Sequence, residues 1–450
     1  MSTINTERPK TGIRLTEIQK YAVALGAGLY IGTGGVPESI RGYIYLICGL
    51  YCIFLAFQSK LAEVFAIIPY LAYNEIIIRA NDTIVPNLYA EYVLLAVFGM
   101  LILKQGTKIT LYSRSFVFIF LYALVELIDC MRTNEPDFAR LATINSFLLF
   151  FVAFWSASNK IPLKALNRLL LNFQMANIYL CGNILAIHIF GHVSYSNHSS
   201  SASTNSLAPV QVSGYVGLGT ILFFLSIFNR LERKKLIVNV CLFVISCTVM
   251  ILSFSRGGLY FLAVIVMLYL FFNRKDTGSY FIFLLLVPVG FLIYYYVTET
   301  TGGLIIDRYT QAGSSGRDVL VDVGLQIFRS EPLAGIGTGN FSKEIVARHL
   351  YEVESGAHNE FIRAAAEHGI LGVITYWGFY ICMAIEALRQ KGFVRQFSVY
   401  FFALFCLIMV HNGLKISIQH LLLILVICRP LLPLVQNKRP PANAPPKTTS

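Results

Sequence analysis

Residues Leu236–Phe272 read LIVNVCLFVISCTVMILSFSRGGLYFLAVIVMLYLFF. Two apolar runs, Leu236–Phe254 and Gly257–Phe272, flank one charged residue, Arg256, and neither run alternates polar with apolar positions. A run of about 17–25 apolar residues can cross a bilayer as a helix. In lipid every backbone amide and carbonyl must find a partner inside the protein, so spans are helices unless strands close into a barrel. Without a two-residue alternation a barrel is not expected. The pattern recurs along the chain and sets the fold class: all-α, a polytopic helical membrane protein.

Composition agrees. The 450 residues are 56% hydrophobic and 13% charged, with a mean hydropathy of +0.63, whereas soluble domains carry about 25% charged residues. Fourteen segments qualify as spans: Thr16–Thr33, Ile40–Phe57, Leu61–Ile78, Leu88–Leu103, Ser115–Cys130, Leu141–Ala157, Leu169–Phe190, Pro209–Phe228, Leu236–Phe254, Gly257–Phe272, Ser279–Val297, Glu367–Leu388, Gln396–His411 and Ser417–Val435. The first and thirteenth are short or weak, so about 12–14 transmembrane helices are expected. Met1–Lys20 is polar and no small-residue cleavage site follows, so no cleavable signal peptide is expected. The nine Cys lie in or beside apolar runs without a Cys-x-x-Cys pair, and read as buried small hydrophobes. The sequence shows no internal repeat and no soluble nucleotide-binding domain.

A net charge of +12 would suggest nucleic acid in a soluble chain. Here it reads as topology, because Lys and Arg gather in cytoplasmic loops, and no nucleic-acid partner is expected. With the N-terminus inside, 24 of the 36 Lys and Arg fall in inner segments. Of the other 12, six lie in one long loop, where the rule hardly applies. Leu231–Lys235 and Arg389–Arg395 are the firmest inner anchors. Both termini come out cytoplasmic, and Arg256 and the whole Thr298–Glu367 interval come out on the far side. The chain then divides into N-terminal helices (1–235), a catalytic region (236–435) containing a large outer loop with short helices (298–366), and a Pro-containing tail (436–450) expected to be disordered. Ser194–Ser206, with His192 and His198, is expected to be a flexible, solvated outer loop.

Chemistry concentrates in the long loop. Ser315-Gly316-Arg317-Asp318 has the spacing of a capping box ahead of a helical run, Val319–Arg329. Arg317 would stand in the first turn beside unpaired N–H groups, which suits phosphate, although an ordinary capped surface helix has the same pattern. Pro332 ends that helix. Gly335, Gly337 and Gly339 permit tight turns or close backbone approach; as a phosphate cradle they are weak without a preceding strand. Asn340–Glu354 reads as a second short helix, followed by His358-Asn359. Histidine exchanges a proton near neutral pH, so His358 could deprotonate a sugar hydroxyl; a capping or interfacial His is the plain alternative. His349 and His368 compete with it, and His188 and His411 sit at span ends, where packing is expected. Arg256 could snorkel, yet Arg at membrane depth usually has a partner. Together with Arg317 it could grip one diphosphate bidentately. Glu126 and Asp129 are candidate partners for these arginines; Glu63 and Glu75 have no assigned role. With no Asp-x-Asp in an outer segment and no His/Cys cluster of ligand spacing, no metal and no cofactor are expected. Without an ATP site, a reaction there must draw on an activated substrate.

Taken in order, Phe254-Ser255-Arg256-Gly257-Gly258, Ser314-Ser315-Gly316-Arg317, Pro332–Phe341, His358-Asn359-Glu360-Phe361 and Glu367–Gly372 resemble the bacterial O-antigen ligase and O-antigen polymerase superfamily of integral-membrane glycosyltransferases. The likeness covers about Val240–Trp377. It implies an undecaprenyl-diphosphate-linked glycan as donor and a metal-independent reaction on the periplasmic side of the bacterial inner membrane. Arg256 and Arg317 would bind the diphosphate and His358 would activate the acceptor hydroxyl. Asn359, Gly335 and Gly337 complete the substrate-binding set that the likeness implies. A ligase delivers the glycan to lipid A–core, which is the leading reading. A polymerase delivers it to another lipid-linked repeat unit and would work with a chain-length regulator. A secondary transporter or flippase is a further alternative, though its usual inverted repeats are not visible.

The topology is directly testable. In a cysteine-free background, a membrane-impermeant maleimide added to intact spheroplasts should label Ser200→Cys and spare Gly392→Cys. Labelling of Gly392→Cys alone would invert the orientation.

Overall fold

In the computed structural model each of the fourteen apolar segments contains helix, the last of them only over Ile418–Ile427. The structure describes residues 16–80, 84–105, 113–191, 193–196, 200–228, 233–310, 316–411, 413, 416–427 and 429–431. The first eleven helices are α1 (Glu17–Gly32), α2 (Glu38–Phe57), α3 (Leu61–Arg79), α4 (Tyr89–Lys104), α5 (Ser115–Asp129), α6 (Pro136–Ser158), α7 (Leu163–Phe190), α8 (Pro209–Ile227), α9 (Arg233–Leu252), α10 (Gly257–Phe272) and α11 (Thr277–Thr300). The long loop carries α12 (Leu304–Thr310), α13 (Arg317–Ser330) and α14 (Phe341–Ala347). α15 (Glu360–Gly372) runs through a π-helical turn into α16 (Gly378–Arg389), and α17 (Gly392–His411) and α18 (Ile418–Ile427) follow. Two three-residue strands, β1 (Lys160–Pro162) and β2 (Arg429–Leu431), pair in parallel.

Among the described residues, eight helices are long and apolar enough to cross a membrane by themselves, or nine if a bent pair is one span. That is fewer than the 12–14 expected, because several apolar segments form helices of only 10–16 residues. α18 shows why a short helix suffices: all ten of its residues are buried, so it meets protein rather than lipid. The bent pair joins Leu286–Thr300 to Leu304–Thr310 at 112°.

Helices in lipid gain nothing by hiding apolar surface from one another, so close backbone approach and internal polar contacts hold them together. α1 starts with a capping box between Thr16 and Gln19 and then lies against α7 across glycines. A Cβ on Gly28 would stand 2.0 Å from the Tyr179 carbonyl oxygen, and one on Gly182 would stand 2.5 Å from that of Leu25. Elsewhere the Tyr73 hydroxyl donates to the Tyr215 carbonyl at 2.9 Å, and Asn177 donates to Ser246 at 2.7 Å.

Contacts between distant segments join ends that the charge pattern puts on one side. β1 meets β2, Ser113 donates to Glu386 at 2.6 Å, and Lys235 lies 3.9 Å from Glu17, all among inner segments. Arg132 meets Ala334 and Gly335, and Asn205 meets Gly32, all among outer ones.

Several expectations are corrected. The helix expected to start at Glu367 begins at Glu360, because the Asn359 side chain caps it by accepting from the Phe361 and Ile362 amides. The second loop helix stops at Ala347 instead of Glu354, and α13 takes Gly316 as its N-cap instead of Ser315, which lies outside the described residues. The Ser194–Ser206 interval is partly packed, not simply solvated. Ser203 and Thr204 are buried, and Asn205 donates to the Asn183 and Gly32 carbonyls. His192, His198 and the 436–450 tail lie outside the described residues.

Gly28→Val should destabilise the α1–α7 contact by about 1–3 kcal/mol, the usual cost of overpacking, and lower the thermal unfolding temperature of detergent-solubilised protein. Gly26→Val is the control, because an added Cβ there meets nothing within 4 Å.

Candidate functional site

Three arginines converge where α10 begins. The chain leaves α9 through Phe254, at a left-handed φ of 54°, and Arg256 forms the N-cap of α10. Ser213 ties this turn to α8 by accepting from the Gly258 amide at 2.7 Å and donating to the Ser255 carbonyl at 3.2 Å. The Arg256 guanidinium donates to the Arg308 carbonyl at 2.7 Å, and Arg308 Nε donates back to the Phe254 carbonyl at 3.3 Å. This reciprocal clasp fixes α12 over the α9–α10 turn. Arg317, the first residue of α13, lies within the field of Arg308. Its proton affinity is lowered, by burial first and by the Arg308 charge second. Arg256 is half-buried and held inside the fold, so it does not simply snorkel.

His358 lies across the same end of the molecule. α13 packs on α15, and a Cβ on Gly324 would meet the Ile362 side chain at 2.2 Å. From the other direction, Gly257 lies against the His411 ring and Gly413 against the Glu360 carboxylate. The tail end of α17 therefore links the start of α10 to the start of α15. His358 has a φ of 52°, a conformation that non-glycine residues adopt rarely and at some cost. It lines a cavity of about 290 Å³ with Phe138, Leu141, Phe341, Glu354 and Arg363.

Beneath that cavity lies a buried charge cage. Arg363 donates to Glu126 at 2.7 Å, Glu360 at 2.5 Å and Glu367 at 2.7 Å, and to the Tyr122 hydroxyl at 3.2 Å. His368 Nδ1 lies 2.7 Å from Asp129, which also lies 3.4 Å from Arg132. Glu126 and Asp129 thus serve Arg363, His368 and Arg132, not Arg256 or Arg317 as expected from position. His368 is fully buried in this network. His188 packs on Tyr195 and His411 on Phe261, as span-end histidines should. Glu75 pairs with Arg79, and Glu63 with Arg168 at 3.0 Å.

The glycine-rich stretch is used differently from a phosphate cradle. Gly335 and Gly337 both have positive φ, and their amides donate to the Glu331 and Glu367 carbonyls at 3.0 and 2.8 Å. Ile336 donates to Ala366, and Ile370 returns a bond to Pro332. The loop is threaded into a break in α15 at Gly369 (φ 59°, ψ −143°). A Cβ on Gly335 would stand 2.4 Å from the Glu367 carbonyl. These glycines join the loop to the helix, and their amides are committed to protein. Asn359 likewise acts as a helix cap.

Sequence reading missed Arg308 and Arg363. Arg308 carries no motif signal; only the bend after α11 brings it to Arg256. Arg363 was legible in part, because Glu360, Arg363 and Glu367 have the i,i+3 and i,i+4 spacing of helix ion pairs. Residues 241–377 match the family model described as O-Antigen ligase. That segment contains Arg256, Arg308, Arg317, His358 and Arg363. No curated protein matches the chain.

Removing one partner of a buried ion cluster typically costs about 3–5 kcal/mol. Arg363→Met should therefore lower the unfolding temperature far more than Arg140→Met, whose ion pair is exposed. Equal effects would mean that the cage is not structural.

Proposed function

We propose that this chain, whose residues 241–377 form an O-antigen ligase-family domain, transfers a glycan from a polyprenyl diphosphate to an acceptor hydroxyl at the outer face of the inner membrane. It is a membrane protein of the O-antigen ligase or polymerase kind; lipid A–core is the acceptor we favour. The observation that carries this reading is the convergence of Arg256, Arg308 and Arg317 at the end of the bundle that also holds His358.

In the proposed step the diphosphate of the donor lies on the arginines. His358 takes the proton from the acceptor hydroxyl, the hydroxyl oxygen bonds to the anomeric carbon, and the bond from that carbon to the diphosphate oxygen breaks. Negative charge grows on the departing polyprenyl diphosphate, where fixed guanidiniums in a partly buried site act most strongly. Attack opposite the leaving group inverts the anomeric centre. The cavity beside His358 has room for part of the acceptor.

In proteoliposomes supplied with lipid-linked glycan and acceptor, His358→Ala should lower transfer about 10²–10⁴-fold, the usual contribution of a general base. Arg317→Ala and Arg308→Ala should each cost about 10²–10³-fold, and Arg256→Lys should also fail if bidentate gripping matters. Full activity of inserted His358→Ala and Arg317→Ala proteins would refute the site. In a strain lacking the gene, bare core with long chains left on the carrier lipid indicates ligation. Core capped by a single repeat unit indicates polymerisation instead.

A further inference from the structure

We infer that a basic cavity at the opposite, inner end of the bundle is a binding site for the headgroup of an anionic phospholipid. The cavity has a volume of about 820 Å³ and lies where α5 begins, α16 ends, α17 begins and β2 follows α18. Arg114, Arg389, Lys391 and Arg429 line it, with a single carboxylate, Glu386. That carboxylate is engaged by its own fold: it accepts from the Ser113 hydroxyl at 2.6 Å and from the Arg114 amide at 3.0 Å. Four cations thus share one concave surface with one occupied acid.

The accumulation of Lys and Arg on an inner face follows from topology alone. Concavity and an adjoining apolar wall do not. Cys382, Ile385 and Val394 line the same cavity, and Leu388 and Phe393, each next in sequence to a lining residue, are 61% and 70% exposed. A phosphodiester bound by the guanidiniums would leave its acyl chains against this surface. Basic pockets between helices on the cytoplasmic side suit lipids of that kind. Inorganic phosphate shares the charge but would make no use of the apolar wall.

The bound lipid would also join elements that reach the far end of the molecule. Gly378 of α16 lies against the Phe118 ring of α5. The opposite end of α5 supplies Glu126 to Arg363, and α16 continues from the helix that carries Arg363. A headgroup spanning α5, α16, α17 and β2 would therefore brace the helices that hold the His358 cavity. This proposal requires only that the chain sits in a membrane, and it stands or falls separately from the transferase reading.

The test is native mass spectrometry of the full chain, purified in neutral detergent and titrated with phosphatidylglycerol, cardiolipin, phosphatidylcholine or inorganic phosphate. Phosphatidylglycerol and cardiolipin should bind at least tenfold more tightly than phosphatidylcholine. The Arg114→Gln/Arg389→Gln/Lys391→Gln protein should lose most of that preference, about fivefold per charge removed. These three residues are exposed, and unchanged unfolding in phosphatidylcholine checks that the variant is folded. The Lys234→Gln/Arg274→Gln/Lys275→Gln protein, altered at exposed positions on the same face, should keep the preference. Equal loss in the two variants, equal binding of phosphatidylcholine, or displacement of phosphatidylglycerol by millimolar phosphate would each overturn the proposal.

Discussion

The guanidinium of Arg363 is the contact on which the end of the molecule that holds His358 depends. One cation brings together Glu126 from α5 with Glu360 and Glu367 from its own helix. Charges at this depth are costly unless each finds a partner, so the helices that carry them have one permitted register. Glu126 is completely buried, and its backbone carbonyl also accepts from the Thr338 hydroxyl. The α5–α6 turn, the glycine-rich loop and α15 are thereby fixed to one another. Asn359, at the head of α15, inherits that position, and His358 precedes it by one residue.

Two ionic groups of opposite character result. The cage is rich in carboxylates and has built-in partners. The Arg256, Arg308 and Arg317 group gathers positive charge, and it is held by carbonyl contacts from Arg256 and Arg308. The first group is architecture and the second suits an incoming anion. His358 stands between the helix that begins with Arg317 and the helix stabilised by Arg363, and its left-handed backbone is held by the packing of its neighbours. Ala357 is buried on one side, and Asn359 caps α15 on the other.

How much of this was legible follows from the range of each interaction. Apolar length is a local property, so the helical segments could be read directly, as could the punctuation by Pro332; the cap at Asn359, which starts α15 seven residues before the expected Glu367, was not read. Whether a segment is long enough to cross by itself depends on its neighbours, which is why α18 looked longer in sequence than its ten residues. The motif arginines and His358 were visible as motifs, but the meeting of Arg308 with Arg256 was not. It depends on the 112° bend between α11 and α12, which the adjoining Gly302 and Gly303 permit but do not specify. The partners of Glu126 were misjudged for a related reason. Sequence places an acid near one end of a span, and several arginines share that end. Only the packed helices decide which guanidinium it reaches.

The threading of the glycine-rich loop into α15 has a bearing on biogenesis. The Ile336 and Gly337 amides bond to the Ala366 and Glu367 carbonyls, some thirty residues later in the chain. As the protein is made, the loop is synthesised before its acceptors exist. It can close only after the following helix has been inserted and has opened at Gly369. This end of the molecule is therefore completed late, and a chain arrested before α15 would carry an unfinished loop. In this architecture, closure of the loop waits on the arrival of α15, whatever order the later helices take.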